Sequence, residues 1–461
     1  MEIPALGIVA AALLLALLVE CGFRYREAWA LPAALIYLTV FAWYFADLYI
    51  TPENYAFLPT NLLELSYTQV IIFLVCYRLF ARRLTIWLSR HAENPVRRVR
   101  PISAELMFAA AIILWGALLT YGVTRMHGNV IGALFPIQGR TGRTMWFRLA
   151  ASDAGSTGFI VSTAAYFYVL ACASFGVLFF FVRSNITRVL TAAMMAISWP
   201  YFLLSGTRST FLAVSVPFFF GYLMFGKQRF ALRIAVIALA FLMINTAMLV
   251  VIKYRGRGFE EYLAENQFET EDDEEVRQRG LNMIQELCFV NIYMTGAQPA
   301  WGTRYLEEIE NVIPRAIWAN KPMIRIDYAV FRGFAGGRSD IGVVATISTG
   351  MIGGGILNFG KWLGPIAPAL LMALWTALLG RWWVQRASLL RCLLFLFGMG
   401  LTFNLGRDIT LLTLWPIVFA YVVIRAVEWW RRVPAREAAV LIHERSDALV
   451  AMGHGGGMVR W

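Results

Sequence analysis

The chain has 461 residues, of which 59% are hydrophobic and only 15% are charged. So few charged residues cannot cover a water-soluble globule of this length, so the composition excludes that class and indicates a polytopic all-α membrane protein. The lipid bilayer is therefore an expected partner, and nucleic acid is not. The cysteines show no disulfide framework or metal-ligand spacing, because they are scattered as Cys21, Cys76, Cys172, Cys288 and Cys392.

Apolar segments long enough to cross a bilayer, at about 20 residues each, predict eleven spans. The first of them follows Met1-Glu2 rather than a basic n-region, so we expect it to be retained as a span. The predicted spans are 3–20, 31–50, 66–81, 105–124, 158–182, 187–205, 210–226, 231–252, 361–380, 388–405 and 410–430.

Basic residues concentrate in alternate connections between these spans, which indicates that those connections are cytoplasmic. The segment 82–100, the short connections near 183–188 and 227–233, the segment 381–391 and the tail 431–461 all carry arginine or lysine. Alternation then places the remaining connections on the outer, periplasmic side: 51–66, 125–157, 206–208, 253–340 and 407–408.

The glycine-rich segment 341–360 is long enough to raise the question of a twelfth span. If this segment and 361–380 both crossed the membrane, the basic segment 381–391 and the basic tail would lie on the outer side, against the charge distribution elsewhere in the chain. Glycine is a poor helix former, so we expect this segment to be helix-poor and re-entrant or surface-lying. The predicted organisation is helices 1–8 with an outer loop at 125–157 in 1–252, a large periplasmic loop at 253–342, the re-entrant segment and last three helices at 343–430, and the tail.

The large loop is rich in arginine, whose planar fork of donors matches the oxygens of a phosphate. Pro314 and Pro322 stiffen a strip that carries Arg315 and Lys321. The acidic run 269–275 reads as the solvated start of an amphipathic helix that ends near Tyr293, rather than as a calcium site, and we expect no metal. The other candidate residues of this loop are Arg255, Arg257, Arg325, Asp327, Arg338 and Asp340.

Ionisable residues at membrane depth are functional candidates by default. Arg208 and Arg407 lie in turns so short that their side chains must stay at the outer boundary, and Asp47 lies near the outer end of the second span. Snorkelling to water, or pairing with a neighbour, is the alternative for each of the three. Arg125 and His127 belong to a second outer loop, 125–157, whose four arginines against one acid again indicate an anionic ligand, so both are candidates for substrate binding.

Three strings carry a resemblance to a known family. They are the G-T-R turn at 206–208, IPRAIWANKP at 313–322 and GGGILNFGKWLGP at 353–365. Their order resembles that of the Wzy-type polysaccharide polymerases, also called O-antigen or oligosaccharide repeat-unit polymerases. The family pattern has an acidic residue before Asn-Phe-Gly, whereas this chain has only Gly-Gly-Gly-Ile-Leu there.

The resemblance implies a bacterial inner-membrane glycosyltransferase with a GT-C-like fold. It would transfer a growing glycan from undecaprenyl diphosphate to a lipid-linked oligosaccharide repeat unit on the periplasmic face. The lipid diphosphate is its own leaving group, so no cofactor is expected, and no nucleotide-binding loop is found. A chain-length regulator and a flippase are implied partners.

In that reaction, fixed cations would stabilise the charge on the departing diphosphate. We assign this role to Arg208, Arg315 and Lys321, and diphosphate binding to the other arginines of the large loop. A base must also accept the acceptor's proton; Asp340 is preferred over Asp327 and His127, although Asp340 could instead pair with Arg338. Two other classes stay open, a ligase that moves finished glycan to another acceptor and a flippase for lipid-linked oligosaccharides.

Overall fold

The structure, a computed structural model, describes residues 4–90, 99–137, 144–146, 156–205, 208–254, 282–310, 318, 348–409 and 411–433. These ranges are almost entirely helical and contain no strand beyond an isolated bridge between Val99 and Arg432. The helices are α1 Ala5–Phe23, α2 Ala30–Tyr44, α3 Ala46–Ile50, α4 Thr60–Ser89, α5 Ala104–Arg125, α6 Val130–Leu134, α7 Ser156–Leu178, α8 Asn185–Leu204, α9 Arg208–Phe225, α10 Phe230–Tyr254, α11 Met283–Tyr293, α12 Thr303–Glu310, α13 Met351–Leu363, α14 Ile366–Val384, α15 Leu389–Arg407 and α16 Leu411–Trp430.

Seven helices of the described ranges are long and apolar enough to cross a membrane: α1, α5, α7, α8, α14, α15 and α16. Helix α2 and the apolar parts of α9 and α10 are shorter, at 10–17 residues. The expectation of an all-α polytopic membrane protein is therefore confirmed. The count of eleven spans stays a prediction.

Two of the predicted spans have different bounds in the structure. The segment 31–50 is broken at Phe45, whose φ of −123° and ψ of −42° end α2 and start the short α3. Helix α4 has 30 residues rather than the 16 of the predicted span 66–81, because the polar turns at both of its ends stay helical.

The basic connections lie together at one end of the bundle, which we call the basic end. Arg78 at the C-terminal part of α4 pairs with Glu20 of α1, and the backbone N–H of Arg183 donates to Glu105 at the start of α5 (2.9 Å). The backbone N–H of Arg100 donates to the carbonyl of Arg431 (3.1 Å). These contacts agree with the alternation deduced from loop charge.

The other ends of the helices meet at the opposite end of the bundle. There the N–H of Leu6, at the start of α1, donates to Glu64 of α4 (3.1 Å). Helix α15 is the most thoroughly enclosed of the seven, with 83% of its span buried, and it packs against α2, α9 and α14. Its C-terminus therefore brings residues 407 and 408 to the centre of the opposite end.

The glycine-rich segment is a helix, α13, and the expectation that it would be helix-poor is wrong. Its glycines serve close packing: a Cβ at Gly355 would lie 2.7 Å from Cδ of Pro368 and would overlap the carbonyl oxygen of Gly364. Gly360, with φ +81°, interrupts the helix just before the chain turns into α14. Ser348 and Gly350 lie at the opposite end of the bundle, whereas α14 ends at the basic end beside Thr85. The chain therefore crosses the bundle once between Ser348 and the end of α14. A single crossing is what the distribution of basic residues between the connections requires.

The predicted large loop contributes a helix to the interior of the bundle. Helix α11, which ends at Tyr293 as expected, is buried on most of its surface rather than amphipathic. Asn291 and Gln69 of α4 exchange two hydrogen bonds of 2.8 Å, and the N–H₂ of Asn291 also lies 3.2 Å from Ser66 Oγ. Because each amide both donates to and accepts from the other, neither is left without hydrogen bonds in the buried interior. Polar residues can therefore hold α11 within the bundle.

Candidate active site

A carboxylate and a hydroxyl meet at the opposite end of the bundle, where α15 ends and the chain enters α13. Asp408 directly follows α15 in an extended conformation. Ser348 Oγ donates to Asp408 Oδ2 (2.8 Å) and accepts from the N–H of Gly350 (3.1 Å). This pair ties the end of a central span to the start of the glycine-rich helix.

Tyr44, the last residue of α2, completes this junction from the other side. Its side chain is fully buried, and Oη accepts a hydrogen bond from the N–H of Ile352 (3.1 Å). Tyr44 and Ser348 thus satisfy two of the N–H groups that a helix start leaves open. Gly350 has φ +79° and a Cβ there would lie 2.9 Å from Tyr44 Oη, so both its backbone conformation and this close approach require glycine.

Helix α12 adds a second tyrosine to this junction. The ring of Tyr305 lies 6.2 Å from that of Phe359, and its Oη is buried without a hydrogen bond within the described ranges. Burial, together with the negative charge of Asp408, raises the pKa of Tyr305 above its usual value. Tyr305 is therefore a neutral hydrogen-bonding group beside the carboxylate at physiological pH.

The structure places one predicted cation at this junction. The guanidinium of Arg407 lies 5.7 Å from the centroid of the Trp43 ring, and its carbonyl oxygen is 3.5 Å from Ser348 Oγ. Because Arg407 and Asp408 are consecutive residues, a cation and a carboxylate lie next to each other at the end of α15. Such a pair suits chemistry in which a proton is accepted while negative charge develops on a leaving group.

Arg208 begins α9, which runs antiparallel to α15. Gly400 of α15 approaches the carbonyl of Ala213 so closely that a Cβ on Gly400 would be 2.9 Å from that oxygen. Five residues back from Ala213 is Arg208, and five residues on from Gly400 is Leu405. At 1.5 Å per residue in both helices, the backbone of Arg208 therefore lies at about the height of Leu405, close to that of Arg407 and Asp408.

Asp47 has a structural set of contacts instead of joining the cations. It is buried, and it accepts hydrogen bonds from Tyr55 Oη (2.7 Å) and Thr51 Oγ1 (3.5 Å). Burial and the charge of Asp47 raise the pKa of Tyr55, so that Tyr55 remains a donor. These bonds close the turn after α3, and a substrate contact of Asp47 stays a prediction.

The second outer loop is anchored to the bundle by Arg125. Its Nη1 donates to the carbonyl of Met145 (2.6 Å), whose side chain is fully buried. His127 is exposed and has φ +53°, and the N–H of the next residue, Gly128, bonds to Val123 O (3.0 Å). Both residues thus lie at the C-terminal end of α5, where these bonds hold the chain as it leaves the helix. Their predicted roles toward substrate remain predictions.

The predicted residues of the large loop lie outside the described residues. They include the preferred base and two of the three cations assigned to the leaving group: Arg255, Arg257, Arg315, Lys321, Arg325, Asp327, Arg338 and Asp340. The sequence analysis missed Tyr44, Tyr305 and Ser348, and it named Arg407 without giving a role to Asp408. An Arg-Asp pair ending an apolar run was the available signal for Asp408.

Comparison with protein-family models, curated proteins and solved structures gave no significant match. Similarity to a known family therefore rests on the three strings of the sequence, and function is inferred from the junction itself.

Proposed function

We propose that this protein is an inner-membrane polysaccharide polymerase. It transfers a growing glycan from undecaprenyl diphosphate to the non-reducing end of a lipid-linked oligosaccharide repeat unit on the periplasmic face. The observation that carries the proposal is the position of Asp408, Ser348 and Arg407 at the end of the bundle opposite the basic connections.

The side of the membrane on which this junction lies supports the proposal. Basic connections mark the cytoplasmic side, so the opposite end faces the periplasm. A transferase acting there cannot rely on cytoplasmic nucleotide sugars, and a lipid diphosphate supplies both the anchor and the leaving group. Of the three sequence strings that resemble the polymerase family, the one at 353–365 lies mostly in α13, which begins at this end.

In the proposed reaction, an acceptor hydroxyl oxygen bonds to the anomeric carbon of the donor. The bond between that carbon and the diphosphate oxygen breaks, and its electron pair leaves with the diphosphate. Asp408 accepts the hydroxyl proton, while Arg407 and Arg208, with Arg315 and Lys321 from the large loop, balance the charge on the diphosphate.

The experiment is polymerisation by purified protein in lipid, with a matching undecaprenyl diphosphate repeat unit and no nucleotide, followed on a gel. Arg407→Gln has a matched control in Arg386→Gln, since Arg386 also stacks on a tryptophan, 4.2 Å from the Trp383 ring centroid, but after α14 at the basic end. We expect a ladder of products that Arg407→Gln abolishes and Arg386→Gln preserves. Arg208→Ala and Arg315→Ala should also lose it.

Each other class gives a distinct result in the same vesicles. Movement of the lipid between leaflets without a ladder would make the protein a flippase and overturn the proposal. Transfer of glycan only to an acceptor other than a second repeat unit would make it a ligase.

A further inference from the structure

The side chain of Asn358, in the last turn of α13 before the break at Gly360, has an acceptor that receives no donor from the described residues. Asn358 is 1% exposed, and its Nδ2 donates to the carbonyl of Gly354 (2.9 Å). That bond fixes the orientation of the amide, because only the N–H₂ group can donate to a carbonyl. Within the described ranges Oδ1 accepts no hydrogen bond, and a buried group of this kind calls for an explanation.

Gly354 opens the same face of α13 one turn earlier. Among the described residues, a Cβ on Gly354 would have only Thr349 Oγ1 near it, at 4.0 Å. A Cβ on Gly353 would lie 3.3 Å from Val290, and one on Gly355 2.7 Å from Pro368. The helix is thus closely packed on either side and open at Gly354, which shares a face with Asn358 at a spacing of four residues.

Two aromatic residues, one before α12 and one within it, contact α13 at Asn358 and Phe359. The N–H of Trp301 donates to the carbonyl of Asn358 (2.7 Å), which ties the two segments together. Trp301 has φ +49°, a strained conformation for a bulky residue, and its side chain is 69% exposed. Tyr305, whose Oη also lacks a partner in the described part of the chain, stacks on Phe359.

These groups define the chemistry of a ligand. Asn358 Oδ1 needs a donor, which a phosphate oxygen does not provide and an acyl chain lacks. A sugar ring has hydroxyl donors for Oδ1 and Tyr305 Oη, and an apolar face that can stack on an exposed indole. The geometry points to a neutral sugar.

We propose that the face of α13 bearing Gly354 and Asn358 binds a neutral sugar ring of the acceptor repeat unit, with a hydroxyl donating to Asn358 Oδ1. The identification of that sugar as part of the acceptor rests on the proposed function. Eight residues separate Gly350, beside the Ser348–Asp408 pair, from Asn358, or about 12 Å along a helix. The ring at Asn358 is therefore a neighbour of the reacting ring and positions it.

The test measures binding of the repeat-unit oligosaccharide, released from its lipid diphosphate by mild acid, to the protein in nanodiscs. Gly354→Ala puts a methyl group into the open face without touching any other described atom closely. Gly116→Ala is the matched control, because Gly116 lies within α5 and a Cβ there also meets nothing within 4 Å. Asn358→Leu removes the acceptor while keeping a side chain that branches at Cγ.

We expect Gly354→Ala and Asn358→Leu to weaken oligosaccharide binding at least tenfold, while Gly116→Ala binds as the unchanged protein does. The unfolding temperature of Gly354→Ala should not fall, since alanine favours the helix. Unchanged affinity in Gly354→Ala would overturn the inference, and so would a product ladder from protein that shows no binding of the free oligosaccharide. Binding that depends on Gly354 without any ladder would leave the sugar site in place and overturn the polymerase proposal instead.

Discussion

The paired amides of Gln69 and Asn291 provide a direct test of whether α11 is seated inside the bundle. Both side chains are buried, at 0% and 1% exposure, and exchange two hydrogen bonds of 2.8 Å. Replacing either residue by leucine leaves the carbonyl of the other amide without its donor, while the N–H₂ group keeps one acceptor, Ser66 Oγ for Asn291 or the Lys361 carbonyl for Gln69. Interhelical bonds of this kind in membranes contribute about 0.6 kcal/mol each on average and up to about 1.7 kcal/mol. For two bonds we expect a coupling free energy of about 1–3 kcal/mol.

The assay is a double-mutant cycle with Gln69→Leu and Asn291→Leu, by reversible unfolding in mixed micelles of rising SDS fraction. Each single variant should be destabilised, and the double variant should be no less stable than the worse single one. A control cycle pairs Gln69→Leu with Ser198→Ala, whose hydroxyl bonds locally to Met194 O (2.7 Å); it should be additive within about 0.5 kcal/mol. Additivity in the Gln69–Asn291 cycle would refute the docking of α11 against α4.

Three further predictions concern single residues. Asp408→Asn keeps the shape of the side chain and its ability to accept a hydrogen bond from Ser348, but the amide is far less basic than the carboxylate. We therefore expect the rate of ladder formation to fall about 10²–10⁴-fold, with the unfolding temperature unchanged. A loss of rate below tenfold would remove Asp408 from the role of base. His127→Gly relieves a positive φ of 53° and should raise or preserve the unfolding temperature with full polymerisation, whereas lost activity would return His127 to the site and favour a ligase. Gly355→Ala forces α13 away from Gly364 and should destabilise by about 1–3 kcal/mol relative to Gly116→Ala; equal unfolding temperatures for the two would contradict the close packing.

Hydropathy was sufficient to predict the apolar helices, because hydrocarbon imposes a length of apolar sequence that can be read directly. Helix α11 escaped that reasoning, since its 11 residues are too few for a span and Asn291 suggests a solvated surface. Its burial depends on Gln69, which is 222 residues away in the chain. The helical state of α13 was mispredicted because propensity describes an isolated helix, whereas the glycines here allow backbones to approach.

The candidate site was predicted only where one local signal sufficed, as for Arg407. Tyr44, Ser348 and Asp408 meet through contacts between three distant segments, and neither Tyr44 nor Ser348 stands out from its neighbours in the sequence. Likewise, the sequence does not show that Asn358 Oδ1 lacks a donor, because this depends on how the residues around Gly354 and Asn358 pack. No periodicity in the sequence reports which glycine of a run of three faces open space.

The ionic contacts at the basic end have a consequence for the bilayer itself. On α4, residues 65–77 separate Glu64 from Arg78, and 13 helical residues extend only about 20 Å, against a hydrocarbon thickness of about 30 Å. Neighbouring side chains of α1 and α4, such as Leu15 and Val75, are exposed on the outside of the bundle. Hydrophobic mismatch on this flank favours local thinning of the membrane. Because α4 also packs against α11 and α13, a lipid-anchored head group in the thinned region would start closer to the outer ends of those helices.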